Sequence, residues 1–328
     1  MMRRFVFFHV VLLLLSPGLV FGWNHTGHRV SSLIAYRQLS PETRRQVDEI
    51  LRAHPRYAED LLSGMPGGHP RPEEWAFMTA ATWPDMIRSQ AHPLNRRWHR
   101  GEWHYINIPF IQPGDDPATM RPQPAGVMQW DASADPTNVV QALQLAAARV
   151  QSSHTPADER AIMLCWYLHL AGDIHQPLHA STRFSTQFPD GDRGGNSLLI
   201  ADRGVTENLH AFWDGLLGNA DHPTTLSLLA SFIAAGHPSA SMRDDVANLS
   251  YHDWAWQSHE IARTAVYLDG AIAGVTHPPT TRRSDPLPPG VELPAGYNDR
   301  ARLLALERIA LAGHRIAADL NQLLLGTP

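Results

Sequence analysis

Arg160-Ala-Ile-Met-Leu-Cys-Trp-Tyr-Leu-His-Leu-Ala-Gly-Asp-Ile-His-Gln-Pro-Leu-His179 decides how the rest of the chain is read. As far as Pro177 it predicts a helix that is apolar on almost every face and therefore buried. Thr155 is the expected N-cap, with Pro156 at the first helical position and Asp158 near the positive N-terminal end. His169 and Asp173 lie four apart, on one helical face. Burying an imidazole and a carboxylate costs several kcal/mol unless something compensates, and a cation is the simplest compensation. Pro177 breaks the helix, and His179 follows just beyond the break.

Working outward, the flanking segments also read as helices: 25–38, 41–53, 72–81, 137–152, 207–217, 225–235, 253–271 and a last one, capped by Asn298, to Leu325. Trp103 to Pro109 alternates like a short extended segment, and 197–200 with Val205 reads as a small hairpin. The stretches 112–136, 181–193 and 277–296 read as loops, the first and last rich in Pro. No repeat or linker divides the chain, so the expected fold is all-α: a single mainly helical domain over 23–328 with a small β-hairpin and long loops.

Composition narrows the function. All 27 basic residues among the 328 are Arg, and the net charge is −5. An acidic chain without a long basic run does not coat duplex DNA through a charged face. There are 19 His, which is the anomaly to explain, and one Cys, Cys165, so no intramolecular disulfide can form. Residues 1–22 read as a signal peptide: Arg3 and Arg4, an apolar run from Phe5 to Leu15, then a break and small residues before Trp23. Cleavage after Gly22 removes two arginines and no acid, which takes the net charge to −7. The expected location is secreted or periplasmic, with no stable membrane association and no protein partner.

The His and Asp residues in or beside apolar segments form a sparse set: His28 close to Trp23, Asp85, His104, His169, Asp173, His179, His210 and Asp214. His210 and Asp214 repeat the four-residue spacing. One such pair is more often a simple hydrogen bond; two, with further His and Asp in apolar surroundings, point to zinc held without thiolates.

Six motifs carry a more specific likeness: Trp23-Asn-His-Thr-Gly-His28, Thr82-Trp-Pro-Asp85, Trp103-His-Tyr-Ile-Asn107, His169 to His179, Asp192-Arg-Gly-Gly-Asn196 and Asn208-Leu-His-Ala-Phe-Trp-Asp214. In these the chain resembles the zinc-dependent, single-strand-specific nucleases of the S-one/P-one type, related to bacterial zinc-dependent phospholipase C. The resemblance implies three zinc ions. The first is held by Asp85, His104, His169 and Asp173. The second uses His179, His210 and Asp214. The third uses His28, a bridging Asp173 and the α-amino and carbonyl groups of Trp23. It also implies hydrolysis of single-stranded DNA and RNA to 5′-phosphate products, with 3′-nucleotidase activity on mononucleotides. Asp85 would orient the attacking water and accept its proton. Arg88, where many members carry Lys, would bind phosphate. Tyr105 would stack on a base. Asn107 stands where fungal members carry Asp. Asn196 would contact the scissile phosphate and base, with Gly194 and Gly195 letting the backbone approach. His175 maps to no ligand. The run Arg96 to Arg100 reads as a solvated loop, and Trp130, Trp254 and Trp256 read as core. The alternative is a zinc-dependent phospholipase C; a binding protein merely stabilised by zinc is a third reading.

Overall fold

The computed structural model describes residues 23–124, 126–276 and 287–325. The signal-peptide segment 1–22 and the first half of the Pro-rich stretch 277–296 therefore lie outside the described residues. Among the described residues twelve α-helices form the body: α1 (His25–Gln38), α2 (Pro41–Arg52), α3 (Pro72–Ala80), α4 (Trp83–Met86), α5 (Asn95–Trp98), α6 (Val139–Gln151), α7 (Ala157–Asp173), α8 (Leu209–Asp214), α9 (Pro223–Gly236), α10 (Arg243–Ala247), α11 (Tyr251–Ile261) and α12 (Tyr297–Leu325). The fold is all-α in class, as its helical periodicities require. Among the described residues no helix is long and apolar enough to cross a membrane.

α7 is the axis. Every residue from Ala161 to Asp173 is buried, so beyond its first turn this helix has no solvent face, as the apolarity of that stretch demands. α6 packs along it, and α1, α2, α3 and α12 close around it. α1 lies between α12 and α9. Its first turn is capped by the Asn24 side chain, which accepts from Gly27 N at 3.2 Å. Asn138 caps α6 and Asn208 caps α8 in the same way, each satisfying an amide that a helix start leaves without a partner.

Several boundaries differ from expectation. α7 starts at Ala157 with no side-chain cap from Thr155, and it ends at Asp173 rather than running to Pro177. Pro177 forces Gln176 into an extended conformation (φ −80°, ψ 116°), so helical geometry must stop before it. Residues 207 and 208 belong to a strand, which leaves α8 six residues long. Ser181–Phe184, read as loop, is a strand. Trp103 and His104 sit in a 3₁₀ turn, and the extended segment begins at Ile108. The helix read over 253–271 is α11, followed by a π turn at Ala262–Val266 and a 3₁₀ turn at Leu268–Gly270. Asn298 lies inside α12, its amide donating to Asp202 Oδ2 at 2.6 Å. Trp254 is fully buried, but Trp256 is 43% exposed.

Two small sheets brace the site. β1 (Ile108–Ile111) pairs in parallel with β2 (Ser181–Phe184), Ile108 opposite Ser181. β1 follows His104 and β2 follows His179, so the pairing brings those histidines side by side. β3 (Leu198–Asp202) and β4 (Val205–Asn208) form the expected hairpin. Its turn, Arg203-Gly204, has both φ values positive (53° and 80°), the geometry that matches the twist of a two-residue hairpin. β5 (Val275–Thr276) and β6 (Val291–Glu292) flank β3.

Candidate metal centre

Three groups of side chains offer ligand atoms within 4.8 Å of one another: His28, Asp85 and His169; His104, His169 and Asp173; and His179, His210 and Asp214. All eight metal-ligand side chains of the sequence reading converge. The first five form one buried cluster. His169 Nε2 lies 3.1 Å from Asp173 Oδ2 and 3.9 Å from Asp85 Oδ1. His104 Nδ1 is 3.0 Å from Asp173 Oδ2, and His28 Nε2 is 3.3 Å from Asp173 Oδ1. Asp173 thus faces three imidazoles from three separate elements, and His179 Nδ1 stands 3.8 Å from Oδ1, the oxygen that His28 also approaches.

Backbone carbonyls set the orientation of the rings. His169 Nδ1 bonds Ala81 O, His179 Nδ1 bonds His104 O and His210 Nδ1 bonds Gly194 O, each at 2.7 Å. A carbonyl only accepts, so each Nδ1 carries the hydrogen and each Nε2 presents a lone pair inward. His179 and His210 then aim their Nε2 atoms at one another across 3.2 Å. Two lone pairs at that distance repel unless a cation or a proton lies between them. Further buried atoms lack hydrogen-bond partners: both ring nitrogens of His28, Asp85 Oδ2, His104 Nε2, Asp173 Oδ1 and Asp214 Oδ2. So many orphaned ligand atoms in one place is the opposite of a satisfied core. The donor set, imidazole nitrogen and carboxylate oxygen without thiolate, suits zinc.

The protein's own field agrees. Burial lowers His28 to about 4 and His210 to about 3, which keeps both neutral, the form a metal needs. Burial opposes charge on His169 as well, yet Asp173 and Asp85 outweigh it and raise this ring to about 9. Burial pushes Asp214 well above the usual carboxylate range. It presses Asp173 the same way, but His169 and His179 hold that carboxyl well below. The upward shifts of His169 and Asp214 have one consequence: both groups hold a proton, because buried carboxylates call for positive charge and without a metal only protons can supply it. A divalent cation would replace those protons.

Gly172 makes one close approach possible. A Cβ there would lie 2.7 Å from His28 Nδ1, so the helix backbone lets the His28 ring in only because the position is glycine. The His28 ring stacks on His169 at 4.1 Å.

Above these clusters opens a pocket lined by Arg88, Gly101, His104, Tyr105, Asn107, Leu178, His179, Arg193, Asn196, His210 and Asp214. Arg88 donates to Asp85 Oδ1 at 3.0 Å. Tyr105 is 39% exposed in the wall of this pocket. Asn107 Oδ1 accepts from Thr182 Oγ1 at 3.1 Å, and Asn196 Nδ2 donates to Arg193 O at 2.9 Å. Gly194 and Gly195 have φ of 61° and 78°. A Cβ at Gly194 would sit 2.5 Å from Leu178 O, so the turn that presents Asn196 demands glycine twice over. Asp192, fully buried, holds this turn by accepting from Arg183 N at 3.0 Å.

Trp23 is buried, and the next residue docks on α8: Asn24 N donates to Asp214 O at 3.1 Å. The Asn24 side chain donates to Gly218 O at 2.7 Å and is 7% exposed. Arg96 and Arg97 are exposed, but the run read as a solvated loop begins in a helix: Arg96, Arg97 and Trp98 belong to α5, and Trp98, His99 and Arg100 are half-buried. Two site residues escaped the sequence reading. Gln176 is fully buried; its Nε2 donates to Asp214 Oδ1 at 2.7 Å while its Oε1 accepts from Leu178 N at 2.6 Å. A polar residue among apolar neighbours beside Pro177 was the available signal. Arg193 lines the pocket with φ 59°, a strained conformation for a residue with a Cβ.

Comparison with known proteins agrees with this geometry. The family model described as S1/P1 Nuclease matches residues 23–325. Endonuclease 2 of Arabidopsis thaliana is 24% identical over 332 residues, covering 96% of this chain and 97% of its own. Nuclease S1 of Aspergillus oryzae is 24% identical over 320 residues, covering 92% of each. Endonuclease 4 of Arabidopsis thaliana is 24% identical over 318 residues, covering 93% of this chain and 90% of its own. With a family match over nearly the whole chain, and buried ligand clusters at the foot of its pocket, this protein belongs to the S1/P1 nuclease family and is a nuclease, a hydrolase of phosphoester bonds.

Proposed function

We propose that this enzyme is an exported, three-zinc endonuclease that cuts single-stranded DNA and RNA to leave 5′-phosphate and 3′-hydroxyl ends, and that it also acts on 3′-mononucleotides. The observation that carries the reading is the convergence of eight His and Asp side chains, seven of them buried, beneath a pocket whose wall holds a part-exposed tyrosine. Asp85, His104, His169 and Asp173 would hold one zinc, and His179, His210 and Asp214 a second. His28 and Asp173, with the α-amino and carbonyl groups of Trp23, would hold the third. Bound zinc acidifies water and polarises phosphoryl oxygens.

The chain's own residues do the rest. Asp85 has one oxygen on Arg88 and the other without a partner, so it can orient the attacking water and take its proton. Arg88 lines the pocket beside it and grips a phosphate oxygen, its planar guanidinium replacing a point charge with a fork. Tyr105 stacks on a base, and Asn107 and Asn196 offer amides to base edge and phosphate. Stacking is worth about 1–3 kcal/mol per base and ignores sequence. A duplex hides its base faces and gains none of this, hence the single-strand preference. Removal of residues 1–22 would free the α-amine of Trp23, so export and site assembly are one event.

The test offers the mature protein circular single-stranded DNA, the matching duplex and phosphatidylcholine vesicles in parallel. Cleavage of the single-stranded circle to 5′-phosphorylated fragments is expected. Hydrolysis of the lipid alone would sink the reading in favour of a phospholipase C.

A further inference from the structure

α12 lies beyond every motif that carries the family likeness, yet it places two buried guanidiniums behind the metal centre. Arg308 and Arg315 are seven residues apart and so share a helix face two turns long; each is 1% exposed. Burying a guanidinium costs several kcal/mol unless it is fully engaged. Ordinary ion pairing does not supply the engagement. Among the described residues Arg308 makes no ion pair with a carboxylate, and Arg315 has only Asp245, at 3.8 Å.

The donors go instead to the turn after α7 and to the helices α10 and α11 packed beside it. Arg308 Nε donates to His175 O at 3.2 Å, and its other nitrogens reach Gln257 Oε1 at 2.8 Å and Ser258 Oγ at 3.0 Å. Ser258 passes its own hydrogen to Ile174 O. Arg315 donates to His175 Nε2 at 2.9 Å, to Gln257 Oε1 at 3.0 Å and to Asp245 O at 2.8 Å, and lies over the Trp254 ring. His175 Nδ1 bonds Ala171 O at 2.7 Å, so that nitrogen carries the hydrogen and Nε2 is free to accept from Arg315.

The turn needs this grip. α7 ends at Asp173, so the carbonyls that follow lose helical partners, and Pro177 has no N–H to offer. Ile174 O and His175 O are buried and would otherwise go unpaired. The same three-residue turn separates Asp173, in one ligand cluster, from the short 3₁₀ helix that carries His179, in another. Its last member, Gln176, holds Asp214 Oδ1 at 2.7 Å.

We infer that Arg308 and Arg315 are positioning residues of the metal centre: from α12 they fix the Ile174–Gln176 turn and so hold the two ligand clusters in register. The inference rests on the metal-centre reading above. It gives the C-terminal helix a role in site assembly, and it explains why the helix carries arginine where apolar packing would be simpler. Only a rigid fork with several donors meets two carbonyl-side acceptors and a ring nitrogen at once.

The experiment uses the full mature chain loaded with cobalt(II), whose absorption spectrum reports ligand geometry, and separately with zinc competed by a chelator. A normal cobalt spectrum in the wild type first establishes the centre; its absence would refute the metal reading itself. Arg308→Met and Arg315→Met are expected to keep wild-type circular dichroism, change the cobalt spectrum and lose roughly 10- to 100-fold in zinc affinity, the usual effect of removing a group that orients ligands. Arg308→Lys and Arg315→Lys keep the charge and lose the fork, and they decide the matter if the Met variants do not fold. A changed spectrum in the folded Lys variants supports positioning. A wild-type spectrum and wild-type zinc affinity in folded variants overturn it, leaving the pair as packing alone.

Discussion

Gly172→Ala separates the stability of this protein from its metal content. Gly172 sits in the middle of the last turn of α7, between His169 and Asp173, where alanine is the better helix former by about 1 kcal/mol. The added methyl carbon would stand 2.7 Å from His28 Nδ1 and 3.0 Å from His28 Cε1. Ordinary contact begins near 3.4 Å, so the imidazole must retreat by about 0.7 Å, several times the ~0.2 Å latitude of a metal–ligand distance. The ring cannot slide away freely, because it is fully buried and stacked on His169. Overpacking of this kind costs about 1–3 kcal/mol, which the helix propensity partly offsets. The metal-free variant should therefore unfold within about 2 kcal/mol of the wild type, while affinity at the His28 site falls roughly 10- to 100-fold. Urea denaturation of the metal-free proteins measures the first quantity, and elemental analysis after dialysis against a weak chelator measures the second. A variant that retains the wild-type complement of zinc under that competition would refute the claim that His28 is a ligand held in place by the absent side chain.

Four other outcomes are expected. Asp85→Asn should keep the fold and lower kcat on single-stranded DNA by about 10²- to 10⁴-fold, the range for removing a general base; full activity would remove Asp85 from the mechanism. Tyr105→Ala should raise KM for oligonucleotides roughly 5- to 150-fold with kcat little changed, as expected for a lost stack of about 1–3 kcal/mol. A mature protein carrying extra residues before Trp23 should bind one zinc fewer by elemental analysis, whereas an unchanged count would take the α-amine out of the site. His54, remote from the ligands, is lowered by burial to about 4 from its ordinary 6.5. It is neutral when folded, and the unfolded chain takes up its proton first as pH falls. Its share of stability is whole above pH 6.5 and drains away between 6.5 and about 4, up to about 3 kcal/mol in all. His54→Gln should flatten the measured pH dependence in that window; an unaltered slope would show that His54 does not set it.

What lies along one element was legible in the sequence. The apolarity of residues 161–173 announced a buried helix, the four-residue spacing of His169 with Asp173 and His210 with Asp214 placed each pair on one face, and residues 197–200 with Val205 marked a small hairpin. Such features depend on local periodicity and local steric rules, which a sequence carries directly. The helix boundary at Asp173 was misjudged because Pro177 acts backwards: it excludes helical geometry from Gln176, and the turn needed before it uses up the preceding residues. Trp256 was placed in the core because aromatic character alone does not say which way a helix face points.

What only the tertiary structure decided is the meeting of elements far apart in the chain. His104 and His169 come within 2.9 Å of each other because β1 and β2 run in parallel beside the buried end of α7. The inward aim of His169, His179 and His210 depends on carbonyls of Ala81, His104 and Gly194, and no spacing rule encodes a hydrogen bond between separate elements. Gln176 on Asp214 and the two α12 arginines on His175 are of the same kind. The sequence by itself determined which atoms can bind a cation, since imidazole and carboxylate chemistry travels with the residue. The fold decided which of those atoms face one another, since that depends on how distant segments pack to bury the same apolar surface.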